Sequence, residues 1–114
     1  MSADRMRRVN EAVREVLSDA VKLLKDPRVG FVTVTDVRTS PDLRHAKVFV
    51  SVLGSEQERA ATMDGLASAH GVLQAAVNRE LRMKRTPTLD FVYDDTAERA
   101  DRLERMLADM EQPT

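Results

Sequence analysis

Two strand-like segments joined by a short turn limit the fold of this chain more than any other feature. Residues 29–37 are rich in Val, Thr and Phe, and residues 44–53 contain three Val and one Phe; these residue types favour β-strands. In the second segment apolar residues occupy every second position, as in a strand with one buried face: Ala46, Val48, Val50 and Val52. The intervening "SPDL" is a turn sequence, and so short a connection favours an antiparallel hairpin.

The hairpin is flanked by segments with helical spacing of apolar residues. One helix is predicted before it, and two more are predicted after it, separated by Ala-His-Gly at positions 69–71. A third strand, "TPTLDFVY", and an amphipathic helix complete the chain, and Phe31, Phe91 and Tyr93 are expected in the core. The two-helix excursion allows the second and third strands to lie parallel. We therefore predict an α+β two-layer sandwich, with a three-stranded sheet packed by helices and a C-terminal tail helix.

The charge of this 114-residue chain is unevenly distributed, although the total is only −1. Residues 1–85 hold 15 of the 18 basic and 11 of the 19 acidic residues, a net charge of +4, which leaves −5 for residues 86–114. Local potential matters more for association than the total charge does. We predict one domain over residues 1–95 and an acidic helical tail over residues 96–114.

Several function classes are excluded by residue types that the chain lacks. No apolar run is long enough to span a membrane, and the absence of cysteine excludes disulfides and thiolate metal sites, which is compatible with the cytoplasm. The only histidines are His45 and His70, and no nucleophile or orienting carboxylate is placed beside His70 in the sequence. An acidic group, Asp90, Asp94 and Asp95, has the ligand type for Mg²⁺, but Asp95 is equally suited to capping the tail helix. We predict no enzyme, catalytic residue, metal, cofactor or small-molecule substrate.

The Ala69-His70-Gly71 sequence marks a joint between two helices. Glycine inside a helix costs about 0.5–1 kcal/mol relative to alanine, so a structural reason for Gly71 is expected. The joint is either a sharp bend or a helix cap followed by a new helix, and the two descriptions overlap. In both, valine at position 71 is expected to destabilise the joint.

The element order and several sequence stretches resemble a known family. The order αββααβ is that of a type II KH domain, in which Gly-x-x-Gly usually joins the paired helices and clamps nucleic acid. Here Ala69-x-Gly71 replaces that motif, as in the ribosome-binding factor A family. The stretches "RMRRVNEAVREVL", "FVTVTDVRTSPDLRHAKVFVSVLG" and "LRMKRTPTLDFVYDD" are also similar to that family. The resemblance runs from about Arg5 to Asp95.

This resemblance implies a non-catalytic ribosome assembly factor of the bacterial cytoplasm. Such proteins bind the free small (30S) ribosomal subunit, contact 16S rRNA and assist its late maturation, notably in the cold. We expect a monomer. Because the usual clamp motif is missing, the resemblance implies a structural role at the helix joint for Ala69, His70 and Gly71.

Three groups of basic residues are candidates for RNA contact. Arg79, Arg82 and Arg85 are predicted on one side of the second paired helix. The other two groups lie at the start of the first helix and near the hairpin turn, and they comprise Arg5, Arg7, Arg8, Arg44 and Lys47. Since aromatic residues are only 4% of the chain, recognition should depend on phosphates and RNA shape. The alternative is a protein–protein adaptor that acts through the acidic tail helix.

Overall fold

A computed structural model describes residues 3–111 of the chain, so residues 1–2 and 112–114 of the predicted domain and tail lie outside it. The predicted element order is confirmed. The elements are α1 (Ala3–Lys22), β1 (Phe31–Thr39), β2 (His45–Leu53), α2 (Glu56–Ser68), α3 (His70–Leu81), β3 (Thr88–Tyr93) and α4 (Thr96–Glu111).

The strands form one mixed sheet in the order β1-β2-β3. β1 and β2 are antiparallel, with Val34 opposite Val50, and a bulge lies between Val34 and Asp36. β2 and β3 are parallel, with Val48 opposite Phe91. The predicted hairpin and the parallel crossover through two helices are therefore both confirmed.

One face of the sheet is covered by the apolar stripe of α1 and by the paired helices. The residues of β2 predicted to face the core are indeed buried, and Val48 and Val50 are completely so. Val13 and Leu17 of α1 are fully buried in the same core cluster. Each such side chain stabilises the fold by about 1.5–3 kcal/mol relative to exposure, so this layer holds α1 firmly on the sheet.

The placement of Phe31 differs from the prediction. Phe31 is 80% exposed, and its partner across the hairpin, Leu53, is 76% exposed. Both lie on the face of the sheet that α1, α2 and α3 leave uncovered, because their positions alternate with the buried ones. Phe91, in contrast, packs against the core as predicted.

The joint between α2 and α3 lies at Ala69. The Ala69 amide donates to the carbonyl of Gly65 at 3.0 Å, and the Ala69 carbonyl accepts from the amide of Leu73 at 3.0 Å, so one residue ends α2 and opens α3. Its backbone angles, φ −88° and ψ 6°, are accessible to alanine.

Of the two descriptions of the joint, a helix cap followed by a new helix holds, and the capping residue is Ala69 rather than Gly71. Gly71 is exposed in the first turn of α3, and among residues 3–111 the glycine with positive φ is Gly54. A Cβ at Gly71 would meet nothing within 4 Å, whereas one at Gly65 would lie 2.6 Å from Cγ2 of Val29. The position with a steric need for glycine is therefore Gly65, where α2 packs on the loop before β1.

We predict opposite effects for alanine at these two glycines. Gly71→Ala should raise the free energy of unfolding by about 0.5–1 kcal/mol, because alanine loses less backbone entropy in a helix. Gly65→Ala should lower it by about 1–2 kcal/mol, because overpacking against the stiff Val29 side chain exceeds the same entropic gain. Urea unfolding of the two variants measures both values. A lower stability for Gly71→Ala would contradict this description of the joint.

Candidate nucleic-acid interface

Three separate segments meet at one end of the molecule: the first turns of α1, the hairpin turn and the loop between α3 and β3. The Asn10 carboxamide of α1 accepts hydrogen bonds from the amide and hydroxyl of Thr39 at 3.0 and 2.6 Å. The amide of Thr88, at the start of β3, donates to the carbonyl of Arg44 at 2.8 Å. We call this end, formed by residues 5–10, 40–47 and 82–87, the basic end.

The hairpin turn is held by its own polar side chains. Asp42 accepts from the hydroxyl of Ser40 at 2.6 Å and from the amide of Arg44 at 3.0 Å. The Ser40 hydroxyl, followed by the Arg44 amide, lowers the pKa of the Asp42 carboxyl. Leu43 is held in the left-handed region with φ 60°. These contacts fix the backbone that carries the exposed Arg44 side chain.

The loop over residues 82–87 is fastened to α3 by Gln74. Its carboxamide donates to the carbonyl of Pro87 at 2.9 Å and accepts from the amide of Leu89 at 2.9 Å. Farther along α3, the carboxamide oxygen of Asn78 accepts a hydrogen bond from the hydroxyl of Thr86. Hydrogen bonds from α3 therefore hold both the last residues of the loop and the start of β3.

The helices α1 and α3 run antiparallel, which brings the start of α1 beside the end of α3. Arg5 and Arg8 line one end of the groove between them, together with Leu81 and Met83. At the other end of this groove, Leu23 lies near Ala76. The cations of α1 consequently border the loop after α3.

Two of the predicted helix residues do not lie on α3. The helix ends at Leu81, and Arg82 caps it with φ 49°, so Arg82 and Arg85 belong to the loop and not to one helical face. The helical projection failed because the left-handed residue changes the direction of the chain. Lys84 is exposed in the same loop. The signal for this loop was Pro87, which disfavours helical geometry just before it.

The predicted basic residues differ in their ionic partners. Arg7 pairs with Asp4 at 2.9 Å, and Arg79 pairs with Glu80 at 3.7 Å. Arg44 lies 3.9 Å from Asp42. Exposed pairs of this kind contribute about 0–1 kcal/mol, so a phosphate can replace the carboxylate at small cost. Within the part of the chain that the structure describes, several cations form no ion pair with a carboxylate: Arg8, Lys47, Arg82, Lys84 and Arg85.

Arg79 and Lys47 lie at the margins of the basic end. Arg79 borders the α1–α3 groove beside Asp19, away from the loop. Lys47 stands on the uncovered face of the sheet, opposite Arg38 on β1 and Asp90 on β3. On that face the Arg38 guanidinium lies 5.6 Å from the centre of the Phe49 ring. The structure thus brings together the first turns of α1, Arg44 and the loop, and leaves these two residues at the edges.

His70 connects the helix joint to the sheet. Its Nε2 donates to the carbonyl of Leu89 at 2.8 Å, and its ring meets that of Phe91 edge-on at a centroid distance of 6.3 Å. Ala69 packs against the core beside it. Neither residue belongs to the three segments that form the basic end.

The acidic group considered for Mg²⁺ does not form a cation site. Asp94 accepts from the hydroxyls of Thr35 and Thr96 at 2.6 and 2.5 Å, and these bonds lower the pKa of its carboxyl. Asp90 lies on the uncovered face of the sheet. Over residues 3–111, no three His, Asp or Glu side chains are grouped so that they could hold a metal ion. Nor does any helix in that range have the length and apolar character needed to cross a membrane.

Fold and surface together define a KH-like binding domain: a mixed three-stranded sheet covered on one face by α1, α2 and α3, with cations collected at one end. A sequence profile described as "Ribosome-binding factor A" matches residues 5–107. The chain belongs to the ribosome-binding factor A family. The family consists of non-catalytic binding factors, so membership confirms the prediction that the chain is not an enzyme.

Individual relatives show the same relationship. The ribosome-binding factor A of Halothermothrix orenii is 44% identical over 94% of this chain and 88% of its own length, and that of Geobacter metallireducens is 41% identical over 90% and 88%. The crystal structure of the Thermus thermophilus factor has a TM-score of 0.70 at 30% identity, over 77% of this chain and 93% of that one. The solution structure of a Thermotoga maritima protein, described as a putative ribosome binding factor A, has a TM-score of 0.72 at 33% identity, over 81% and 89%.

One further match concerns a factor placed in a complex. Coordinates of a homology model of the Thermus thermophilus factor, fitted into a cryo-EM map of a 30S complex with that factor, have a TM-score of 0.64 at 30% identity to this chain. They cover 76% of this chain and 92% of that one. The α+β fold predicted from the element order is confirmed by these structures.

We predict that Gln74→Ala releases the loop of the basic end. The amide of Leu89 and the carbonyl of Pro87 would each lose a partner, at a cost of about 1–3 kcal/mol for the buried group. Amide hydrogen exchange at Leu89 should accelerate strongly, while the exposed Gln57→Ala in α2 should leave it unchanged. Unaltered protection of Leu89 in Gln74→Ala would show that another contact holds the loop.

Proposed function

We propose that this protein is a ribosome assembly factor that binds the free small (30S) subunit through 16S rRNA and assists late maturation of that RNA. The observation that carries the proposal is the convergence of cations from α1, the hairpin turn and the loop over residues 82–87 at one end of the domain. Each segment alone is an ordinary charged surface. Held together by the hydrogen bonds of Asn10, Gln74 and Thr88, they form a preordered site for a polyanion.

The chemistry of the basic end favours a phosphate backbone over splayed bases. Guanidinium groups are provided by Arg8, Arg82 and Arg85. Each such group can donate two parallel hydrogen bonds to the oxygens of one phosphate. The exposed aromatic residue Phe31 lies at the opposite end of the hairpin, where it cannot stack on a base held at the basic end. The recognition we propose therefore uses phosphate positions and RNA shape.

The comparisons support the choice of particle. A homology model of the Thermus thermophilus factor has been fitted into a cryo-EM map of a 30S complex with that factor. Because this chain belongs to the same family, we propose the small subunit as its binding partner rather than some other RNA-containing particle. The remaining parts of the proposal are a cytoplasmic, monomeric protein, a role that matters most in the cold, and an RNA-binding unit over residues 1–95.

The helix joint has no place in RNA binding in this proposal. Ala69 packs against the core, and His70 bonds the backbone of β3. Their role is to position α3, whose far end carries the loop.

We predict that Arg82→Glu combined with Arg85→Glu weakens binding to purified small subunits by roughly tenfold, equivalent to about 1.4 kcal/mol. The matched control is Lys22→Glu with Lys25→Glu, which makes the same charge change at the other end of α1, roughly 30 Å away for a 20-residue helix. Co-sedimentation with small subunits, large subunits and complete ribosomes measures binding. The wild-type protein should pellet selectively with free small subunits.

The salt dependence separates phosphate contacts from general charge. Each lost phosphate contact should reduce the slope of the logarithm of the binding constant against the logarithm of the salt concentration by about 1. The affinity of the Arg82→Glu, Arg85→Glu variant should therefore differ from that of the wild type most at low salt. Equal weakening by the control variant would indicate a nonspecific charge effect. Equal binding of wild type to all three particles would contradict the assignment to the small subunit.

A further inference from the structure

The helix α4 exposes a continuous apolar stripe that nothing in the domain covers. None of its residues is buried, and four large apolar side chains are 49–80% exposed: Leu103, Met106, Leu107 and Met110. Their spacing of three and four places them on one side of the helix. A stripe of this kind is a common feature of surfaces that bind another protein.

The base of α4 is fixed to the domain while the stripe stays free. The hydroxyl of Tyr93 donates to Glu98 at 2.5 Å and accepts from Arg59 at 3.0 Å, and the Arg59 guanidinium lies 5.0 Å from the centre of the Tyr93 ring. The bond from Tyr93 lowers the pKa of the Glu98 carboxyl. Asp94 accepts from the amide of Thr96 at 3.0 Å, which satisfies one of the free donors at the helix start. These contacts direct α4 away from the core.

Local ion pairs support the helix without using the stripe. Arg99 pairs with Asp95 at 3.6 Å, and Arg105 pairs with Asp101 one turn apart. Pairs at this spacing stabilise a helix in isolation. The basic residues of α4 all lie within its first ten positions, and the last of them is Arg105.

The distal half of α4 carries uncompensated negative charge. Within residues 3–111, Glu104, Asp109 and Glu111 form no ion pair. The last turn contains no basic residue, so Asp109 and Glu111 oppose the helix dipole, whose negative end lies there. A cationic partner would relieve this repulsion, and an apolar one would cover the stripe.

We propose that the distal half of α4 is a docking helix for a basic protein of the small subunit that presents an apolar groove. This inference rests on the proposed function, since it places the partner on the same particle. RNA does not fit the surface, because phosphates would face unpaired carboxylates beside an apolar stripe. A second copy of α4 fits poorly as well, because each copy has five acidic and three basic residues over positions 96–111.

Two pairs of substitutions test the stripe and the charge separately. Leu103→Asn with Leu107→Asn should weaken binding to intact small subunits by about tenfold or more, because two leucines lose their burial. Ala97→Asn with Ala108→Asn is the matched control, since it places two asparagines on the opposite side of α4 at no smaller cost in helix propensity. This control should bind as the wild type does.

The charge variant Asp109→Lys with Glu111→Lys distinguishes the two classes of partner by the sign of its effect. Lysines in the last turn favour the helix, so circular dichroism should show equal or greater helicity. If the partner of α4 is a basic protein, the variant should nevertheless bind intact subunits at least roughly threefold more weakly than the wild type does. If α4 instead contacts RNA, the same substitutions should tighten binding.

Binding to protein-free 16S rRNA completes the test. There the stripe variant should equal the wild type, since no protein groove is present. Tighter binding of the charge variant to intact subunits, or no effect of the stripe variant, would overturn the docking helix while leaving the proposed function standing. Failure of the wild-type protein to bind small subunits would overturn both.

Discussion

The parallel pairing of β2 with β3 is the constraint on which the rest of the structure depends. A parallel partner must begin at the same edge of the sheet, and here the Thr88 amide bonds the Arg44 carbonyl next to the first residue of β2. The chain must therefore return from α3 to the hairpin turn before β3 can start. Because α1 crosses the sheet and bonds Thr39 through Asn10, its first turns reach the same edge. The β2–β3 pairing brings the loop to the hairpin turn, and the Asn10–Thr39 contact adds the first turns of α1.

Much of this arrangement could be predicted from sequence, because strand alternation and helical spacing are local signals. The buried positions of β2, the two helices after the hairpin and the parallel crossover all follow from them. The predictions that failed concern positions that depend on tertiary contacts or on single backbone angles. Phe31 is a large apolar residue of the kind usually found in a core, but it lies on the uncovered face of the sheet. Arg82 ends α3 with a left-handed backbone conformation, which the spacing of apolar residues does not indicate. Gly71 drew attention as a helix breaker, whereas packing against Val29 requires glycine at Gly65.

The charge asymmetry of the sequence corresponds to a physical separation in the fold. β3 starts at the basic end and runs away from it, so α4 leaves the domain from the other end of that strand. The acidic tail is thus kept apart from the basic end, so the tail does not neutralise the cations there. With principal extents of 63 × 38 × 18 Å, the described residues form an elongated body with differently charged surfaces. Such a body suits simultaneous contact with RNA and protein.

The most direct test of the central claim is to ask which end of the domain faces the RNA. The chain contains no cysteine, so a single introduced cysteine can carry a tethered hydroxyl-radical probe without interference. Probes at Thr86 in the loop and at Asp4 in α1 should cleave 16S rRNA in bound small subunits at shared sites, while a probe at Lys25 should cleave those sites weakly. Stronger cleavage from Lys25 than from Thr86 and Asp4 would contradict the account.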